Sequence, residues 1–296
     1  MPDKKIPLTL IHNDAAGDAD HGRSWLEDML ERAGYEVAYM PYDRSRIAAA
    51  LRRPAELIAV AGGDGTIAKV AAAARPDGPP IAILPLGTAN NLAKSLGVWQ
   101  PIEELILAWR DGTVRPFYPI DSRGPWGRRR LIEGVGFGAI EEAITELPDK
   151  TDQESACRSY ANAVLTDDPE HLKLTLDGET LHERFAVLEI STIPLVGPNL
   201  RLTPAADPTG RKFAVSFICD SGDEREALAK WIAEPDNGAA VPVSMRAAER
   251  ATISGKFQRV RIDGGVKTSD AEPDWDCTRP IMLTVAAEPL LFLVPG

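Results

Sequence analysis

Residues Gly62-Gly63-Asp64-Gly65-Thr66 place three glycines around one carboxylate. A turn of this composition lets backbone lie against a phosphate, because glycine has no Cβ to block close approach and tolerates positive φ. The amides that open the next helix then favour an anion. A second polar loop, Pro85-Leu86-Gly87-Thr88-Ala89-Asn90-Asn91, offers bare backbone at Gly87, a hydroxyl at Thr88 and an amide at Asn90. A third, His12-Asn13-Asp14-Ala15-Ala16-Gly17, adds Asn13 and completes a rim. Each loop also has a plainer reading, as a glycine turn or a polar loop whose Asp or Asn caps a helix. Three such loops at one edge of a sheet favour nucleotide binding. No GxxxxGK[ST] sequence is present, and no GxGxxG follows the first strand, which sets aside the P-loop and weakens a dinucleotide-dehydrogenase reading.

The elements that must position these loops alternate. Ile6 to His12, Tyr35 to Met40, Leu57 to Ala61 and Pro80 to Leu84 read as strands. Gly22 to Ala33, Arg44 to Leu51, Ile67 to Ala74 and Ile102 to Trp109 read as helices, with Gly34 closing the first. Strands joined by crossover helices imply a parallel sheet, and ligands bind beyond the carboxyl ends of its strands. After about residue 112 the pattern turns β-rich, with strands expected at Val114 to Ile120, Arg130 to Phe137, Leu172 to Leu176, Thr180 to Ile190, Phe213 to Ile218, Val241 to Met245 and Phe257 to Ile262. Asp177-Gly178 signals a hairpin. A helix crosses residues 139–165, with a break near Pro148, and another covers Glu224 to Ala233. The expected fold class is α/β: an N-terminal doubly wound parallel-sheet nucleotide-binding domain over residues 1–115, then a C-terminal antiparallel β-sandwich-like domain over residues 116–296. The last apolar strand, about 289–296, can return to the first domain.

Composition narrows the function. With 44% hydrophobic and 26% charged residues, the chain has the make-up of a globular protein. Its 33 basic and 44 acidic residues leave a net charge of −11, which argues against nucleic acid as a partner. The three cysteines, Cys157, Cys219 and Cys277, lie far apart with no CxxC pair, so a reducing compartment is expected and no zinc site. There is no signal-peptide core near the start and no run of eighteen apolar residues, so a cytoplasmic protein is expected.

Together, Gly62-Gly63-Asp64-Gly65-Thr66 and Leu86-Gly87-Thr88-Ala89-Asn90-Asn91-Leu92-Ala93 resemble the diacylglycerol kinase catalytic domain. That family includes bacterial lipid kinases and the sphingosine kinases, and is distantly similar to NAD kinase and 6-phosphofructokinase. Asn13 and Gly17 resemble its Asn-Pro-x-x-Gly start, with Asp14 in place of proline. Gly134-Val135-Gly136-Phe137-Gly138-Ala139 resembles its glycine-rich strand-to-helix junction, and Val260-Arg261-Ile262-Asp263-Gly264 its late Asp-Gly element. Leu202 to Asp207, followed by Gly210, resembles a further segment of the second domain.

The resemblance implies ATP on the first domain and a lipid hydroxyl as acceptor in a cleft between the two. Phosphoryl transfer needs positioning and charge neutralisation. The amides of Gly62, Gly63, Asp64 and Gly65 would cradle the phosphates, with Thr66, Gly87, Thr88, Asn90 and Asn13 beside them. Asp64 about 4 Å from a phosphate oxygen would repel it by about 4 kcal/mol at an effective dielectric near 20. It is tolerable there as a ligand of Mg²⁺ held with ATP, or as a holder of the acceptor hydroxyl; the Mg²⁺ role is the expectation adopted. By resemblance Asp263 is the general base; as bare sequence, Asp263-Gly264-Gly265 is a hairpin turn. Four further positions depart from the family pattern: Gly265 for a glutamate, Asn91 for an aspartate, Lys69 for a glutamate, and Thr209 for an aspartate tied to a structural Mg²⁺ site.

Arg128-Arg129-Arg130, near Trp126, is the one dense basic cluster, suited to a solvated hairpin or to peripheral contact with anionic lipid headgroups. His12, His21, His171 and His182 lack metal-ligand spacing; His12 stands nearest a candidate loop. A sheet edge in the second domain offers a surface for a homodimer, though no motif specifies one. Two other functions fit the same loops: a kinase for a soluble acceptor such as NAD or a sugar phosphate, and a nucleotide-binding regulatory protein that has lost its base.

Overall fold

Apolar runs in the first part of the chain form strands covered on both faces, and the helices between them supply the cover. The computed structural model describes residues 4–17, 21–147, 151–234, 238–257, 259–268, 276 and 279–296. The chain forms two compact units, Met1–Tyr118 with Ala287–Gly296, and Pro119–Ala286.

In the first unit, β1 (Ile6–His12), β2 (Tyr35–Pro41), β3 (Leu57–Gly62) and β4 (Ile81–Pro85) are parallel. Every residue of β3 is buried, as its unbroken apolar sequence requires. The helices are α1 (Arg23–Arg32), α2 (Ile47–Ala50), α3 (Asp64–Ala73), α4 (Asn91–Ser95) and α5 (Ile102–Ala108). Gly34 follows α1 at φ +91°, the left-handed conformation that ends a helix cheaply only with glycine. The second helix is shorter than the 44–51 expected, because Asp43 accepts the amide and hydroxyl of Ser45 and holds the preceding residues in a turn. β5 (Thr113–Phe117) is antiparallel to the chain's last strand, Leu290–Val294, which lies between β4 and β5. The sheet order is β2-β1-β3-β4-last strand-β5.

The single strand expected over Val114 to Ile120 is two. Pro119 separates β5 from β6 (Ile120–Gly124), which belongs to the second unit's sheet. That sheet continues with β7 (Gly127–Leu131), β8 (Gly134–Gly138), β9 (Glu170–Leu176), β10 (Glu179–Ser191), β11 (Phe213–Cys219), β12 (Ser244–Ala248), β13 (Arg250–Gly255), β14 (Arg259–Ile262), β15 (Gly265–Thr268) and β16 (Ile281–Val285). The chain's last described strand, Leu290–Val294, is β17. The expected strand over Arg130 to Phe137 also splits, because the amides of Ile132, Glu133 and Gly134 turn to a side-chain carboxylate.

All pairings in this eleven-stranded sheet are antiparallel. The long β10 joins its halves: Glu179–Phe185 pairs with β9, and Val187–Ser191 pairs with β8 on one side and β11 on the other. A bulge between Phe185 and Val187 marks the change. Both halves bury one core, in which Phe137, Phe185, Phe213 and Phe257 meet Ile253 and Leu283. The helices α6 (Ala139–Glu146), α7 (Gln153–Thr166) and α8 (Gly222–Ala233) pack in a second cluster against Ala186, Val187 and Ile218. The helix expected over 139–165 is therefore two, and the anticipated break at Pro148 lies outside the described residues.

Candidate functional site

The carboxyl ends of β1, β3 and β4 bring the three candidate loops together. The amide of Asn13 donates to the Ala61 carbonyl at 2.9 Å, and the amide of Leu86 to the Gly62 carbonyl at 3.0 Å. Asn13 Nδ2 donates to Thr66 Oγ1 at 2.9 Å, joining loop 12–17 to loop 62–66. Gly63 and Gly87 touch backbone to backbone: a Cβ on Gly87 would stand 2.6 Å from the Gly63 Cα. None of Gly62, Gly63 and Gly65 has a positive φ. These glycines serve close approach, and the freedom of φ expected of them is not used.

Asp64 opens α3 and reaches across to the next helix. Its Oδ2 accepts the Asn91 amide at 2.9 Å and its Oδ1 the Leu92 amide at 3.0 Å. Burial pushes its carboxyl up, and the amides of Leu92 and Asn91 pull it back. Asp64 thus fastens loop 62–66 to the end of loop 85–91. Asn90, at φ +53°, ties its own loop: Oδ1 accepts the Gly87 amide at 2.9 Å, and Nδ2 donates to the Gly87 carbonyl at 2.6 Å. Its amide was expected to face a ligand, and here it is spent on the turn. The Thr88 hydroxyl is exposed at the rim. The amides of Asp64 and Gly65 stand in the first turn of α3, where a helix supplies no partner.

Beside these loops a cavity of about 380 Å³ is lined by His12, Asp14, Gly17, Arg23, Gly87 and Ile102 among others. That volume lies in the range of small-ligand sites. Of the residues assigned to phosphate from sequence, Gly87 lines it, and the candidate loops 12–17 and 85–91 also contribute His12, Asp14, Gly17 and Leu86. Sequence reasoning missed Arg23, although a cation at the first position of a helix opposes the macrodipole and is itself a signal. Arg23 pairs with Glu27 and stacks 4.2 Å from the centre of the Tyr39 ring. His12 is buried, and its Nδ1 lies 3.4 Å from the Tyr39 hydroxyl. Burial lowers the His12 pKa, and Asp14 opposes that shift.

Among the described residues no three His, Cys, Asp or Glu side chains gather to hold a metal. Asp64 and the exposed Asp14 are the described carboxylates at this edge. That donor set suits a Mg²⁺ arriving with phosphate oxygens and water, which is how Mg²⁺ is commonly held, and does not suit a resident ion.

Asp263 lies in the second unit, in the two-residue turn between β14 and β15. Its Oδ1 accepts the amides of Ile132, Glu133 and Gly134 at 3.0, 2.8 and 3.2 Å. Burial pushes its carboxyl up, and the three amides pull it down. Arg261 Nη1 donates to the Asp263 carbonyl at 2.7 Å. The buried Arg261 is paired with Glu189 and lies 3.7 Å from Glu141. Sequence reasoning missed this buried charged layer; the signal was an arginine and two glutamates inside otherwise apolar stretches.

Residues 7–120 match the family model of the diacylglycerol kinase catalytic domain. The chain is similar to a diacylglycerol kinase of Bacillus subtilis, 34% identical over 132 residues, 41% of each chain. It is similar to one of Staphylococcus haemolyticus, 36% identical over 97 residues, 29% of each. The matched region thus spans well under half the length of these relatives. A crystal structure of a diacylglycerol kinase from Bacillus anthracis superposes with a TM-score of 0.74 at 18% identity, covering 100% of this chain and 99% of that one. At that identity the likeness establishes the fold. The match thus identifies residues 7–120 as similar to the diacylglycerol kinase catalytic domain.

Proposed function

We propose that the chain is an ATP-dependent lipid kinase, transferring the γ-phosphoryl group to the hydroxyl of diacylglycerol or a related amphiphile. The observation that carries this reading is the backbone meeting of Gly63 and Gly87 at the carboxyl edge of a parallel sheet, beside a cavity of nucleotide size. The first unit is the ATP-binding half and the second the acceptor half.

Each residue has a role in that reading. The first amides of α3 donate to phosphate oxygens. Asn13 orients the Thr66 hydroxyl, Thr88 presents a second hydroxyl, and Arg23 offers a cation on the cavity wall. Asp64 holds Mg²⁺, which when bound neutralises charge on the phosphoryl oxygens. Asp263 accepts the proton of the acceptor hydroxyl at Oδ2, since its three amides all go to Oδ1. The upward push of burial on its carboxyl favours such a base.

A second reading, nucleotide binding without turnover, is favoured by the clamped Asp263 carboxylate and by Gly265 beside it. Incubation with γ-labelled ATP, Mg²⁺ and a panel of lipids decides between them. Labelled lipid is the expected result. A folded protein that binds ATP and labels neither a lipid nor a water-soluble acceptor would overturn the kinase reading.

A further inference from the structure

The outer face of one half of the second unit's sheet gathers basic side chains on an acidic chain. Pairing fixes which side chains share it. Arg128 lies opposite Arg123, Arg123 opposite Met282, Met282 opposite Thr252, and Thr252 opposite Thr175. The neighbouring rows place Arg250 opposite Thr284, and Lys173 between Ser254 and His182. The alternate residues of the same strands, Ile253, Leu172, Leu174 and Leu283, are buried in the core, so this row faces outward.

Arg123, Arg128, Lys173 and Arg250 are exposed, and none enters an ion pair among the described residues. Met282, 46% exposed, sits between Arg123 and Thr252. The carboxylates at these register positions are Asp121, which bridges Arg130 at 3.5 Å, and Asp177, which is turned to the amides of Glu249 and Arg250. The basic cluster read from sequence is divided: Arg128 and Arg130 face outward, while Arg129 pairs with the buried Ser122.

We propose that this face docks the protein on an anionic lipid bilayer. The five strands from β7 to β9 span about 19 Å at about 4.8 Å each. Cations spread over that width suit an array of headgroups better than one phosphate. The choice of lipid over another polyanion rests on the lipid-kinase reading and on the apolar Met282 at the centre. Among the described residues no large aromatic side chain shares these register positions, so the attachment is electrostatic, reversible and salt-sensitive.

Sedimentation with phosphatidylcholine vesicles, with and without phosphatidylglycerol, tests it. Binding is expected only with phosphatidylglycerol, and is lost between about 0.1 and 1 M salt as the Debye length falls from about 10 to 3 Å. R123Q/R128Q and K173Q/R250Q should each weaken it about 30-fold, at roughly fivefold per cation. Arg52→Gln, in the first unit, should change nothing. No binding, undiminished binding by both double variants, or equal binding to a DNA duplex would each overturn the proposal. Transfer to a short-chain diacylglycerol in neutral detergent separates the two readings. Vesicle binding without such transfer sinks the kinase and leaves the surface; transfer without vesicle binding does the reverse.

Discussion

Two Asp-Gly turns in the second unit have nearly the same backbone and very different foundations. Asp177 and Asp263 stand at φ +47° and +51°, and each closes a two-residue hairpin. Each carboxylate accepts amides from a strand outside its own hairpin. Asp177 takes Glu249 and Arg250 at 3.1 and 2.9 Å, one on each oxygen, at an exposed site. Asp263 gathers three amides on one oxygen above the buried Arg261, which is held between Glu189 and Glu141. Amide clamping is therefore how this fold uses an Asp-Gly turn, and is no mark of chemistry. What singles out Asp263 is the free second oxygen and the charged layer beneath.

The sharpest way to break this comparison is a pair of isosteric changes. Asp263→Asn keeps an oxygen for the three amides and removes the proposed base, so lipid phosphorylation should fall about 10²- to 10⁴-fold. Asp177→Asn should leave the rate unchanged. Equal rates for the two variants and the wild type, measured under saturating ATP, would reduce Asp263 to a turn residue.

Deleting the clamp comes next. Asp263→Ala leaves three amides without an acceptor and should cost about 3 kcal/mol in urea unfolding. Asp177→Ala should cost about 1 kcal/mol or less, because water reaches its amides. Equal losses would show that burial does not separate the turns.

Gly136 tests the foundation itself. It lies opposite Arg261, and a Cβ there would stand 2.7 and 2.8 Å from the two carboxylate oxygens of Glu189. Gly136→Ala should cost about 2 kcal/mol by overpacking. In the first unit, Asp64→Ala removes the acceptor of two helix-start amides, and a loss of about 1 kcal/mol is expected in thermal unfolding. An unchanged melting temperature would return Asp64 to a purely ligand-binding role.

The smallest effect is a slope with pH. Burial, and then the charge of Glu189, hold the Glu141 carboxyl well above its ordinary 4.5. Above that value the unfolded chain releases the proton more readily than the folded one, so this group's contribution falls as pH rises. Glu141→Gln should flatten the decline, seen as a gain over the wild type that grows from acid to neutral pH. A parallel pair of stability curves would place the proton elsewhere.

Much of the scaffold was legible because its signals are local. The apolar run at 57–61 can only be a covered strand, and Gly34 can only end a helix. The same local logic failed at Val114 to Ile120 and Arg130 to Phe137. Each run is continuous in character, and each is divided by something the run does not contain. Pro119 routes one chain segment into a different sheet, and the carboxylate of Asp263, 130 residues away from Glu133, draws off the amides that divide the other. The site was half legible. Loops 12–17, 62–66 and 85–91 follow parallel strands, so their meeting follows from the strand order. Which groups remain for a ligand does not follow, since Asn90 is spent on its own turn and Asp64 binds backbone 27 residues away that only packing brings near.

By itself the sequence determined the alternation of strand and helix, the glycine contacts that permit close approach, and the residue types at the phosphate edge. Periodicity and the lack of a Cβ act within a few residues. Tertiary structure alone decided that Asp64 and Asp263 each hold backbone amides, that Arg23 lines the cavity, and that Arg123, Arg128, Lys173 and Arg250 share one face. Those facts depend on which segments lie side by side, and hydrogen bonds and charges act through space regardless of separation along the chain.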